Sequence, residues 1–247
     1  MMQTTNGEMS EFIDTYLKEN VHYYGPQSEV QIVLESLVYG KRYDTDRPDG
    51  FVTHGGMVYL VEHFQYDSSA SNKKGSKSVQ EDERIKREHY QRLKNVNNGY
   101  VVSKMKTETS YEKLISNAKT VFLNHYEKID AYIEKGRELG VISENSKYCV
   151  LFFAQDVSPL GSICECANGD LKLITLARSK EFLCVFKKCE RLDYLICSTT
   201  FGSTNDVWIV NRKNLDLYLE NTIPYAEYRF LPLSPTIMDA KTTIQDR

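Results

Sequence analysis

The sequence predicts an α/β protein with one mixed central sheet flanked by helices. Three observations carry that prediction. The run YCVLFFA at 148–154 is continuously apolar, as in a strand buried on both faces. The β-prone runs 51–54 and 57–64 are joined by Gly55-Gly56, the pattern of a tight hairpin. Segments with apolar residues at helical spacing alternate with these strands, which is the order of an α/β domain.

Taken in order, residues 9–20 and 28–39 read as two short helices. In the second, Ser28 is placed to cap the start and Gly40 to stop the end, and Val30, Val33, Leu34, Leu37 and Val38 form a buried stripe. A turn-rich stretch, 43–50, leads into the hairpin. Residues 67–78 are polar and rich in Gly, Ser and Lys, so a loop is expected, followed by a highly charged helix at 79–96. Leu114, Ala118, Val121, Phe122, Tyr126, Ile129 and Ile133 give residues 110–139 helical spacing. Beyond the apolar strand, 179–189 reads as a helix and 193–198 and 206–211 as strands. The tail, with Pro232 and Pro235, reads as irregular, and no internal repeat is present.

A chain of 247 residues, 41% apolar and 26% charged, can bury one substantial core, so a single domain over 1–247 is expected. The formal net charge of −3 excludes a globally basic nucleic-acid binder; any such surface must be a local patch. The N-terminal stretch lacks the apolar core of a signal peptide, and the longest apolar run is too short to span a bilayer. A cytoplasmic location with no membrane partner follows as the expectation. Without a secretory signal, Cys149, Cys164, Cys166, Cys184, Cys189 and Cys197 are read as free thiols, several of them buried as small hydrophobes, because their spacing is poor for zinc.

Chemistry concentrates between Glu35 and Lys94. Glu35 lies on the second helix, Asp49 follows Pro48 just before the hairpin, and Glu62 lies on the second hairpin strand. Strand alternation places Glu62 on the face of Val58 and Leu60, where a carboxylate must be paired, protonated or metal-bound. The hairpin brings Asp49 and Glu62 to one end of the sheet, where oxygen ligands could share a divalent cation. His22, His54, His63, His89 and His125 show no metal-binding spacing and read as structural or exposed. Residues 72–94 hold eight basic and four acidic side chains, a local excess that suits phosphate contacts and equally suits a solvated helix laced with ion pairs.

Pro48-Asp49, the hairpin and Glu62, preceded by a helical Glu35, resemble the PD-(D/E)XK nuclease superfamily, to which many restriction endonucleases belong. The resemblance implies a core of helix, three strands, helix and strand over about 28–157. A helical insertion (about 105–145), a C-terminal α/β extension (about 158–223) and an irregular tail (224–247) would complete the chain. It implies Mg²⁺ or Mn²⁺ held by Asp49 and Glu62 with help from Glu35, and a nucleic-acid substrate, DNA ahead of RNA, cut by a chain that can pair as a homodimer. The family's lysine two residues after the second acid is Phe64 here. Lys86 is the preferred replacement, because a helix holds a catalytic group better than the loop carrying Lys73, Lys74 and Lys77 does. Lys73, Lys74, Lys77, Arg84 and Arg87 would contact nucleic acid. Two functions therefore stand as expectations: a metal-dependent nuclease of restriction, phage-defence or mobile-element type, and a non-catalytic nucleic-acid-binding or protein-interaction module on the same scaffold.

Overall fold

The computed structural model describes residues 7–17, 21–68, 71–72, 75–104, 110–158, 163–165, 169–201, 204–220, 222, 229–231 and 236–241. The first elements are α1 (Glu8–Tyr16), β1 (Val21–Tyr24), α2 (Gln27–Tyr39), β2 (Lys41–Asp44), β3 (Gly50–His54) and β4 (Met57–Tyr66). Next come β5 (Ser71–Asn72), β6 (Gly75–Ser76), α3 (Lys77–Asn95), β7 (Gly99–Lys104), α4 (Tyr111–Tyr126), α5 (Ile129–Glu138) and β8 (Lys147–Asp156). The chain continues through β9 (Ile163–Glu165), β10 (Leu171–Leu173), α6 (Lys180–Lys187), β11 (Tyr194–Phe201) and β12 (Thr204–Asn211). It closes with α7 (Leu215–Leu219), β13 (Arg229–Leu231) and β14 (Thr236–Lys241).

Seven strands form a mixed central sheet in the order β1-β12-β11-β8-β4-β3-β2. The pairs β4–β8, β8–β11 and β1–β12 are parallel, and β2–β3, β3–β4 and β11–β12 are antiparallel. β8 sits at the centre because both of its faces are apolar. Leu151 and Phe153 point into one core, and Val150, Phe152 and Ala154 into the other. The first core is closed by Met9, Phe12 and Ile13 of α1 and Val30, Val33 and Leu37 of α2. The second is closed by Leu114, Ala118 and Phe122 of α4, Ile129 and Ile133 of α5, and Phe182 and Phe186 of α6. The β3–β4 hairpin turns on Gly55 and Gly56, both at positive φ (56° and 77°), which L side chains adopt only with strain.

Which helix covers which surface differs from the sequence expectation. The charged helix α3 does not lie on the central sheet; it packs against β6, β7 and β14. Among the described side chains of α3 only Ile85 and His89 are buried, too narrow a stripe to cover a sheet face. That task falls to α4 and α5, which were expected as an insertion. Their apolar stripe is wide, and the helical run breaks at Glu127-Lys128 into two pieces that follow the twisted sheet. The C-terminal extension is part of the same sheet through β11 and β12, and β1 adds a further edge strand beside β12. The expected irregular tail contains β13, paired with β9, and β14, paired with β7. Pro26, not Ser28, precedes the first residue of α2. Among the described residues no helix is long and apolar enough to cross a membrane.

Candidate active site

β3 and β4 pair with Gly50 opposite Val61, so the next position sets Asp49 against Glu62. The Asp49 N–H donates to Glu62 Oε2 at 3.2 Å, and Asp49 Oδ2 accepts the His63 N–H at 2.5 Å. The two acids singled out in the sequence are therefore neighbours at the mouth of the hairpin. Glu62 is 3% exposed and lies on the Leu60–Phe64 face, as alternation required. A buried carboxylate needs hydrogen-bond donors. Glu62 Oε1 finds two: His125 Nδ1–H at 2.5 Å and the Tyr132 hydroxyl at 2.7 Å.

α4 supplies His125 near its C-terminal end and α5 supplies Tyr132 from its first turn. Both lie on the stripe 118, 122, 125, 129, 132, whose other members are Ala118, Phe122 and Ile129, all fully buried against the sheet. The Phe64 ring stacks on the His125 imidazole, with centroids 5.8 Å apart and planes 21° from parallel. Burial first, and then the Glu62 carboxylate, push the Tyr132 hydroxyl well above the ordinary tyrosine range; Arg47 acts in the opposite sense. Arg47 is exposed, so this patch of low exposure opens onto a cation.

The other predicted residues lie elsewhere. Glu35 is exposed on α2, which covers the opposite face of the sheet, and accepts a hydrogen bond from Gln31. Opposite faces of one sheet cannot share an ion, so Glu35 does not join Asp49 and Glu62. Lys86 is exposed on α3, with the β7–β14 pair beneath that helix. Arg84 makes ion pairs with Glu81 and Glu88 at 2.6 Å, and Arg87 donates to the Glu83 carbonyl, so this helix does carry local pairs. Lys73 and Lys74 lie outside the described residues, as does the side chain of Lys77. Cys189 and Cys197 are buried, Cys149 is half-buried and Cys184 is exposed; all four are free thiols, and Cys166 lies outside the described residues.

His125, Tyr132 and Arg47 were not anticipated. A trace of the first two exists in the sequence: a His and a Tyr interrupt an apolar helical stripe, and Glu62 interrupts an apolar strand. Nothing local says that these interruptions face each other. A second polar cluster, His89 between Ser103 Oγ (2.9 Å) and Asp239 Oδ2 (3.1 Å), fastens α3 to β7 and β14. Its serine oxygen also accepts from Arg92, which fits a tie between elements better than an activated nucleophile.

A divalent cation is implied by the resemblance, and the donor set can be weighed against it. Two adjacent carboxylates suit Mg²⁺, which commonly takes one or two protein carboxylates and completes its shell with water and phosphate. Among the described residues no three His, Cys, Asp or Glu side chains gather into a metal-holding group. Glu62 is 3% exposed and its Oε1 already accepts from His125 and Tyr132, so a cation here would be reached from the Asp49 side and the Oε2 edge of Glu62. Comparison of the chain with protein-family models, curated proteins and solved structures gives no match.

Proposed function

We propose that Asp49, Glu62 and His125 form the reaction centre of a metal-dependent nuclease that hydrolyses phosphodiester bonds. The observation that carries this reading is the buried Glu62 carboxylate, which accepts from His125 and from the main-chain N–H of Asp49, the acid that the hairpin register sets opposite it. The element order α2, β2–β3–β4, α4–α5, β8, with β5, β6, α3 and β7 intervening after β4 and β8 parallel beside β4, supports it, because apart from those elements it follows the order that the resemblance implies.

Glu62 Oε1 accepts the Nδ1–H of His125, which leaves Nε2 as the basic ring nitrogen. That nitrogen takes the proton of an attacking water, and the Glu62 carboxylate stabilises the imidazolium that results, as an Asp does for a catalytic His. Tyr132 holds the carboxylate from its other side, and Phe64 supports the ring, so the imidazole takes the task that a lysine at position 64 would have had. Arg47, an exposed cation whose charge reaches Tyr132, would hold a phosphate oxygen. Mg²⁺ or Mn²⁺ bound by Asp49 and Glu62 would polarise the scissile phosphate and lower the pKa of the water.

One observation favours the second reading, a non-catalytic nucleic-acid-binding module. Phe64 fills the lysine position and is 3% exposed, so that position is committed to the core. A cleavage assay on single- and double-stranded DNA and RNA separates the two. Under the nuclease reading Asp49→Asn and His125→Ala each lower Mg²⁺-dependent cleavage on the order of 10²-fold, and Lys86→Ala stays near wild type. Wild-type protein that binds nucleic acid but cleaves none of these substrates supports the module instead.

A further inference from the structure

On the same face of the sheet as Glu62, three strands away and about 14 Å across the sheet, lies a recess of about 250 Å³. Its lining includes Tyr24, Leu173, Arg178, Thr199, Asp206 and Trp208. Its position follows from the topology. Thr199 lies near the C-terminal end of β11, opposite both Asp156 of β8 and Asp206 of β12.

We propose that this recess binds a nucleotide unit, a nucleobase with its phosphate. Tyr24 and Trp208 stack with centroids 4.5 Å apart and planes 15° from parallel, which makes a rigid aromatic wall. The Arg178 guanidinium lies 5.9 Å from the Trp208 ring centroid and brings a planar cation to the same wall. Aromatic faces with an arginine plane are the usual platform for a nucleobase, and the guanidinium fork fits phosphate. Asp206, which already accepts from the Tyr24 hydroxyl at 3.5 Å, offers a second acceptor for the amino edge of a base. The floor is the independent observation. Thr199 is 1% exposed, and its Oγ1 has no hydrogen-bond partner among the described residues. Leaving a buried hydroxyl unsatisfied is costly, and a neutral acceptor of the base or ribose entering the recess would satisfy it; with Asp156 and Asp206 opposite Thr199, the phosphate belongs on the Arg178 side. The unit could come from a free mononucleotide or from a strand of nucleic acid.

Trp208 is the one tryptophan in the chain, so its fluorescence reports on this recess alone. Full-length protein in EDTA is titrated with adenosine and cytidine 5′-monophosphates, with the matching nucleosides, with inorganic phosphate and with a single-stranded tetranucleotide; calorimetry checks each affinity. Saturable quenching by the monophosphates is expected. Arg178→Gln should weaken it about 10-fold or more and Thr199→Val about 3–10-fold, with unchanged circular dichroism. Equal affinity for mono- and tetranucleotide marks a free nucleotide as the ligand, and tighter tetranucleotide binding marks a strand. The same binding by Asp49→Asn protein separates this site from the reaction centre. No saturable binding at millimolar nucleotide, equal binding of inorganic phosphate, or affinity unchanged in both variants would overturn the proposal.

Discussion

Replacing Tyr132 by Phe tests the buried cluster with the smallest perturbation available. The ring stays and no cavity opens; only the hydroxyl that donates to Glu62 Oε1 at 2.7 Å is lost. A hydrogen bond to a carboxylate contributes about 1.5–3 kcal/mol. His125 still donates to the same oxygen, so Glu62 is not orphaned and the lower end applies, about 1.5 kcal/mol. For a chain of 247 residues, that corresponds to a fall in melting temperature of roughly 3–6 °C. The control is Glu62→Gln, which keeps the shape and removes the charge. If the hydroxyl acts through Glu62, Tyr132→Phe should cost about 1 kcal/mol less in the Gln background, a coupling within the range seen for contacting residues. Chemical denaturation of the four proteins measures it. Strictly additive effects, or a Tyr132→Phe variant as stable as wild type, would refute the idea that this hydroxyl fixes the carboxylate.

Two further outcomes follow from the fold. Gly56→Ala places a side chain at φ 77° where a Cβ meets nothing within 4 Å, so the cost is purely that of the backbone, roughly 1 kcal/mol by thermal or urea unfolding. No change in stability would mean that the hairpin turn relaxes easily. Alkaline pH should destabilise the protein. Burial pushes the thiols of Cys149 and Cys189 up to about 11 and that of Cys197 to about 12, and the hydroxyls of Tyr23 and Tyr194 to about 12. The unfolded chain therefore releases these protons first, from about pH 9 for the thiols and about pH 10 for the tyrosines. Stability is whole below that pH and is lost as pH climbs toward 12. Urea midpoints at pH 8, 10 and 11 should fall in that order, and a flat series would contradict the burial of these groups.

The sequence by itself determined the elements whose signal is local. The unbroken apolar run of β8 read as a strand covered on both faces, Gly55-Gly56 read as a tight turn, and the alternation along β4 put Glu62 on the core side. Because a hairpin is the shortest-range pairing there is, it also carried Asp49 to Glu62. What the sequence left open is what depends on packing between distant segments. A helical stripe says that a helix is covered, not by which surface. So α3 and α4 exchanged the places expected of them, and Lys86 went to the β7–β14 side with α3. Glu35 was legible as a helical acid, but only the placement of α2 decided that it lies across the sheet from Glu62. His125 and Tyr132 reach Glu62 over separations of 63 and 70 residues. Contacts at such range are set by the sheet order and the angle of α4 and α5 upon it, which no local pattern encodes. The tertiary structure thus sets a histidine and a tyrosine against Glu62, and carries Glu35 and Lys86 on helices that cover other surfaces.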